Sequence, residues 1–480
     1  MLARARLIAS TVGMFIAALM LLSGALAKAD SGVKTPPYER IELANGTVLL
    51  LMERHDVPLI AFDARVRSGA RLDPRDRFGV ANLLAGLLER GAGSRDALAF
   101  AEAVSAVGGA IQTSASAEAI GISGSFLARD KKLMVELLAD MLQRPHLAPN
   151  ELDVLRNRYI EFIRAAKDSQ RDALTPIYAA AALFGTHPYG NPVVGSERSL
   201  ANITIDDVRE FYAAHVGGDR LIISVAGDFK TAEMRRLLTQ AFAKWRKASA
   251  PLPPVAPPAR IEGRRVVLVD APDAVQSYFW IGNVGVARSD PRRAALDLVN
   301  TVFGGRFTSM LNTELRVRTG LSYGASSRFE RLQQPGPWQM ASFTRTETTI
   351  EAIDLALATL DRLHEAGLDT DMLASSRKYV LGQFPLSFET SAHWAAQLAT
   401  LELYGLGHEH IDGYAAALNA VELTDAQRVI ADVFPKSDAV LLVVIGRAEA
   451  LREPLKKYGP VTELRLADPV WTLPIEQPTQ

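Results

Sequence analysis

A repeat with a nearly constant offset constrains this chain more than any other feature. Asp73-Pro74 recurs as Asp290-Pro291, and Ser125-Phe126 recurs as Ser342-Phe343, each 217 positions on. Arg158-Tyr159 is echoed by Lys378-Tyr379 after 220 positions, and Val225-Ala226-Gly227 by Val444-Ile445-Gly446 after 219. Four landmarks on one spacing imply duplication of a unit of about 220 residues. Between the copies lies KASAPLPPVAPPAR, Lys247 to Arg260, with five prolines. Proline at that density continues neither helix nor sheet and acts as an extended spacer, which marks a boundary. The expected organisation is a first domain over 37–246, a linker over 247–260 and a second domain over 261–470.

Within each unit, helical and strand patterns are mixed. Glu39 to Arg67 reads as two strands with Asn45-Gly46 as a turn. Ala110 to Phe126 alternates as a strand pair would, and Leu221 to Ala226 reads as a buried strand. Lys131 to Gln143 and Pro149 to about Lys167 have helical apolar spacing, and Thr204 with Asp207 starts a further helix as a capping pair. The expected fold class is α+β: two homologous domains, each an antiparallel sheet with helices packed on it, facing each other across a cleft.

Composition narrows the function classes. Net charge over the 480 residues is −1, so no basic field argues for nucleic acid. Cysteine is absent, which excludes disulfides, thiolate metal sites and a cysteine nucleophile. The N-terminus carries two arginines, an apolar run from Leu7 to Leu22, then small residues, as in a secretory signal over residues 1–29. Cleavage after Ala27 or Ala29 fits equally, and an uncleaved anchor is the alternative. No later stretch is long and apolar enough to span a bilayer. The expectation is an exported, periplasmic chain with no membrane span after cleavage.

Ser68 to Ser94, SGARLDPRDRFGVANLLAGLLERGAGS, reads as a turn leading into an apolar helix. It resembles the zinc-binding helix of the pitrilysin/insulinase family of metallopeptidases. In that family the helix carries H-x-x-E-H, and the matching positions here are Asn82, Ala85 and Gly86. Two imidazoles would hold zinc and the glutamate would activate its water. Here Asn82 offers only an amide oxygen, Ala85 cannot take a proton, and Gly86 has no side chain. A third ligand, carried on a downstream helix in the family, falls at Phe162, with Glu161 one residue away as the alternative register. The eight histidines include no pair three or four residues apart, and His408-Glu409-His410, the densest cluster, sits between glycines in what reads as a solvated loop. His187, in HPYGNPVVGSE, matches a turn segment of the family, where packing is its expected role. The resemblance therefore implies a chain with no metal site of its own.

The second half keeps a different part of the pattern. Asn300 to Ser327, NTVFGGRFTSMLNTELRVRTGLSYGASS, matches the family's Gly-Gly turn and its L-R-x-x-x-G-L-x-Y segment. Arg316 and Tyr323 coincide with the family's substrate-binding pair, whose donors suit a carbonyl gaining negative charge. Gly108-Gly109-Ala110-Ile111-Gln112-Thr113 departs from the family's Gly-Gly-x-x-Asn-Ala strand, which implies altered peptide contacts in the first half. Together these imply the non-catalytic, substrate-binding subunit of a heterodimeric zinc peptidase acting on peptides or unfolded segments. Its partner would be a homologous subunit with an intact H-x-x-E-H, and the zinc would be the partner's. The alternative is a scaffold or peptide-binding protein without any hydrolytic role.

Overall fold

A computed structural model describes residues 32–471, so the expected signal peptide lies outside the described residues. No helix among them is long and apolar enough to cross a membrane. In the first half the strands are β1 (Glu39–Glu42), β2 (Val48–Glu53), β3 (Leu59–Val66), β4 (Ala110–Ala115), β5 (Ile120–Leu127) and β6 (Leu221–Gly227). In the second they are β7 (Arg265–Asp270), β8 (Gln276–Val284), β9 (Ala325–Phe329), β10 (Pro337–Arg345), β11 (Leu441–Gly446) and β12 (Val461–Arg465). They form two six-stranded sheets, ordered β1-β2-β6-β3-β5-β4 and β12-β7-β11-β8-β10-β9. Strands β2, β6, β3, β5 and β4 thus correspond to β7, β11, β8, β10 and β9, so the duplication extends to topology.

The repeated landmarks fall in corresponding elements. Gly227 and Gly446 close β6 and β11, while Ser125-Phe126 in β5 and Ser342-Phe343 in β10 differ by one residue in register, so that Phe126 is buried and Phe343 half-buried. The Asp73 carboxylate accepts from the backbone N–H groups of Gly79 (2.6 Å) and Ala81 (3.1 Å), at the start of the helix Val80–Leu87. Asp290 accepts from Arg292 N–H (2.9 Å), just ahead of the helix Arg293–Asn300. The shared Asp-Pro is therefore a helix-entry device, supplying an acceptor to donors that have no partner inside the helix.

Two expectations change. Glu39 to Arg67 forms three strands, not two, because the run is interrupted before Leu59 by His55 to Pro58, where proline supplies no ladder donor. The sheets are also mixed, not wholly antiparallel: β2 runs parallel to β6, and β7 runs parallel to both β11 and β12. Strands β6 and β11 return through long helical connections, and such crossovers permit parallel pairing.

Strands β6 and β11 are buried along their whole length, LIISVAG and LLVVIG, so each sheet needs cover on both faces. Alternation splits β2 and β6 cleanly. Leu49, Leu51, Ile223 and Val225 belong to the first-half core, while Val48, Leu50, Met52 and Ile222 face a separate cluster with Trp394, Ala395, Leu398 and Ala399. That cluster is supplied by the helix Ser391–Leu403 of the second half, which packs on β3 and β6. Reciprocally, the first-half helix Arg171–Phe184 packs on β8 and β11. Trp280, Val267 and Val443 on the second sheet thereby join the first-half core, while Phe279, Val266 and Val444 face the second half's own helices. Each half thus covers the outer face of the other's sheet. These two helices cross the seam between the halves, and cavities lined by residues of both halves lie along it.

Arg40 clamps Glu402, at the end of the exchanged helix Ser391–Leu403, with two hydrogen bonds of 2.9 and 3.0 Å. At the C-terminal end of the described chain, Trp471 returns to the first half, donating to Gly195 O (2.6 Å) and meeting the Tyr178 ring edge-on at 5.1 Å.

Because Trp394 is buried against the other half's sheet, Trp394→Ala is expected to destabilise the whole chain by about 3–5 kcal/mol. Urea unfolding should show a lower midpoint in a single transition. Loss of the second half alone would contradict the exchanged packing.

Candidate functional site

In the first half, the helix Val80–Leu87 presents its degenerate positions to the helix Pro149–Ser169. Ala85 is part of the core, and Asn82 is half-buried. At Gly86 an added Cβ would lie 2.6 Å from Leu155 Cδ2 and 2.7 Å from the Tyr159 hydroxyl. The ends of these two side chains lie over the half-buried glycine, so a larger residue there requires both to move. Phe162 is 61% exposed on the helix Pro149–Ser169, with the Arg158 guanidinium 6.0 Å from its ring centre. Glu161 points to solvent and pairs with Arg164 at 2.7 Å.

These residues do not fit a zinc ion. None of the four positions offers an imidazole or a carboxylate, and the neighbouring space is packed. Among the described residues there is no group of three or more His, Asp or Glu side chains arranged to hold a metal. The His408-Glu409-His410 cluster is divided: His408 bonds Asp412 at 3.1 Å, whereas the half-buried His410 sits beside Arg293, Arg288 and Arg331. Burial first, and then those cations, push the His410 imidazole down to about 4. His187 accepts from Tyr189 N–H (3.1 Å) and also contacts Ala256 O at 2.8 Å, bracing a turn.

One edge is closed. β4 lies at the border of its sheet, and Thr113 N–H donates to Glu89 Oε1 at 2.6 Å. That donor is thereby withdrawn from any strand laid along β4.

In the second half, a cavity of about 640 Å³ opens where the exchanged helix Arg171–Phe184 meets β8, β9 and β10. Its rim is built from two π-helical turns, Thr301–Gly305 and Thr313–Arg318, a geometry that recurs at functional sites. Arg316 lies in the second turn and lines the cavity. Tyr323, 74% exposed, stands just outside it, with its ring centre 4.4 Å from the Arg316 guanidinium. The structure therefore brings the sequence-predicted pair together. Phe307 lies on the guanidinium as well, at 4.8 Å, so aromatic rings brace Arg316.

Several supporting residues were not evident from the motif. Asn312 donates to Phe307 O (2.7 Å) and accepts from Ala325 N–H (3.2 Å), tying the turn before Arg316 to β9. Asn300 donates to Ser327 O (3.0 Å) and accepts from the Ser327 hydroxyl (2.8 Å). A Cβ at Gly304 would come within 2.5 Å of Ser327 N, so the Gly-Gly turn is required by contact with β9. The Tyr323 loop is pinned from below: Ser342 Oγ donates to Gly324 O (2.8 Å), and Thr344 Oγ1 donates to Leu321 O (2.6 Å). Tyr379, half of a repeated landmark, lines the cavity beside Arg306.

A duplicated α+β chain with Asn82, Ala85 and Gly86 on its first-half helix and an arginine–tyrosine pair in its second half has the architecture of a two-domain metallopeptidase homologue. Residues 59–197 match the insulinase family, peptidase family M16, and residues 202–379 match the peptidase M16 inactive domain. The chain belongs to the M16 (insulinase) family and contains both of these domains. It is 26% identical over 428 residues to an uncharacterized zinc protease of Streptomyces coelicolor, covering 88% of this chain and 92% of that one. It is 23% identical over 340 residues to a non-peptidase homolog of Helicobacter pylori, covering 70% and 78%. The fold matches a solved peptidase M16 inactive domain from Pseudomonas fluorescens with a TM-score of 0.80 and 21% identity, over 86% of this chain and 98% of that one.

Restoring the metal motif as Asn82→His, Ala85→Glu and Gly86→His is expected to fail. Overpacking at position 86 against Leu155 and Tyr159 should cost about 1–3 kcal/mol on its own, seen as a lower midpoint for Gly86→His. Elemental analysis of the triple variant should find no stoichiometric zinc.

Proposed function

We propose that this chain is the substrate-binding subunit of a two-chain zinc peptidase, with the metal supplied by a homologous partner that has an intact H-x-x-E-H. The observation that carries this reading is the asymmetry between the halves. The first-half helix is packed shut at Gly86, while Arg316 and Tyr323 stand together on the rim of a cavity. A chain selected only for its shape has no need to keep a guanidinium braced between aromatic rings and leave a phenol in solvent.

In this role Arg316 and Tyr323 donate to the scissile carbonyl of a peptide held across the subunit boundary. Their donors gain strength as negative charge develops on that oxygen, which is how fixed hydrogen-bond donors lower an acyl-transfer barrier. The substrate class is peptides or unfolded segments, and the compartment is the periplasm, following the N-terminal signal. Relatives are named both as zinc proteases and as a non-peptidase homolog, which accords with a family that contains chains of either kind.

The test is reconstitution. The purified chain alone should not hydrolyse peptides, and mixing it with a zinc-bearing M16 relative from the same organism should produce activity. In that mixture Arg316→Ala is expected to lower kcat/KM by about 10²–10³-fold and Tyr323→Phe by about tenfold or more. Unchanged activity in both variants would remove the proposed role. Peptide hydrolysis by the chain alone, with one zinc per molecule, would overturn the whole reading.

A further inference from the structure

We infer that Arg306, beside the carbonyl-binding Arg316, forms a carboxylate subsite in the 640 Å³ cavity, taking the C-terminal group or an acidic side chain of the bound peptide. This assignment rests on the peptide-binding role proposed above and names the chemistry its ligand must carry.

Both arginines line the cavity, and each is held in place by something other than an anion. Arg316 lies against the rings of Phe307 and Tyr323, at 4.8 and 4.4 Å. Arg306 lies 5.9 Å from the Tyr379 ring centre and donates through Nη1 to Ser375 Oγ at 2.9 Å. A guanidinium held by its face keeps its in-plane donors for a ligand. The Arg306 Nε is buried and has no hydrogen-bond partner among the described residues.

Neighbouring arginines behave differently. Glu314, two residues before Arg316, is taken by Arg318 (3.2 Å) and Arg362 (2.9 Å). Among the described residues no carboxylate pairs with Arg306 or Arg316. The cavity lining holds one acid, Asp172, on the helix contributed by the first half, and it makes no ion pair with either arginine. Two cations braced by aromatic rings, with one unpaired acid, leave the site net positive.

A neutral carbonyl needs one or two donors and gains little from a second guanidinium. A carboxylate, with two oxygens and a full charge, gains from the in-plane donors of Arg306 while Arg316 and Tyr323 remain on the carbonyl. The opposite wall is aromatic: Tyr278 stacks with Phe343 at 5.8 Å, beside Trp280. Gly324, where an added Cβ would meet nothing within 4 Å, leaves open space on the cavity lining. The fitting ligand is therefore a peptide carboxylate flanked by apolar side chains.

The test is calorimetric titration of the mature chain with three apolar hexapeptides of one sequence. The first has a free C-terminus, the second is amidated, and the third is amidated with one internal glutamate. At least one of the charged peptides is expected to bind about tenfold or more tightly than the neutral one, and which one does so identifies the source of the carboxylate. Arg306→Gln should abolish that preference, and Arg306→Lys should restore part of it. Arg129→Gln, exposed in the first half and away from the cavity, should leave it intact. Equal affinity for all three peptides would overturn the subsite while leaving the peptide-binding role standing, as would a preference that survives in Arg306→Gln. No binding of any peptide would overturn both. Conversely, unchanged partner-dependent cleavage in the Arg316 and Tyr323 variants would count against the proposed role and not against a charge preference measured on the chain alone.

Discussion

The exchange of two helices between the halves is the constraint on which the remaining structure depends. Each sheet contains a central strand that is apolar on both faces, and its own half supplies helices for only one of them. Ser391–Leu403 covers the outer face of the first sheet, and Arg171–Phe184 covers that of the second. Neither half can bury its sheet without the other. Burying both faces of such strands is worth roughly 25 cal/mol for each Å² of apolar surface removed from water. The two halves are therefore one folding unit, even though the sequence repeats as two.

The same exchange builds the candidate site. The cavity lies at the end of the helix Arg171–Phe184, so the first half contributes Asp172, Thr175 and Pro176 to a pocket otherwise lined by the second. Whatever its chemistry, the first half has a structural task in this architecture: it supplies a wall. The tightly packed contact at Gly86 and the closed edge at Thr113 both fit a half that serves packing, whereas the second half spends two π-helical turns and a set of asparagine and serine clamps on holding Arg316 and Tyr323 in position.

Much of this was legible in the residues. The 217 to 220 spacing reported the duplication, and each landmark falls in a corresponding element; Asp-Pro at a helix entry and glycine at a strand end recur in both halves because those positions have strict chemical needs. Thr204 and Asp207 form the expected capping box. The sequence reading erred where a turn has no strong local signature, merging two of the three strands between Glu39 and Val66. It also expected antiparallel sheets, because the direction of a strand is set by the path of the connection before it and not by its own residues. The roles of Arg306, Phe307 and Asn312 arise from contacts around the Gly-Gly turn and are not legible in residue type, although Arg306 and Phe307 follow that turn directly.

By itself the sequence determined which groups are chemically available. Asn82, Ala85, Gly86 and Phe162 carry neither an imidazole nor a carboxylate, and the spacing of Arg316 and Tyr323 placed a donor pair in one segment. Those are properties of residue type and short-range spacing. Only the tertiary structure decided that the space beside Gly86 is filled, that the arginine lies between Phe307 and Tyr323, and that a helix from one half completes the cavity of the other. Such facts depend on residues hundreds of positions apart being brought into contact, and apolar faces that match at a distance leave no mark in the local sequence.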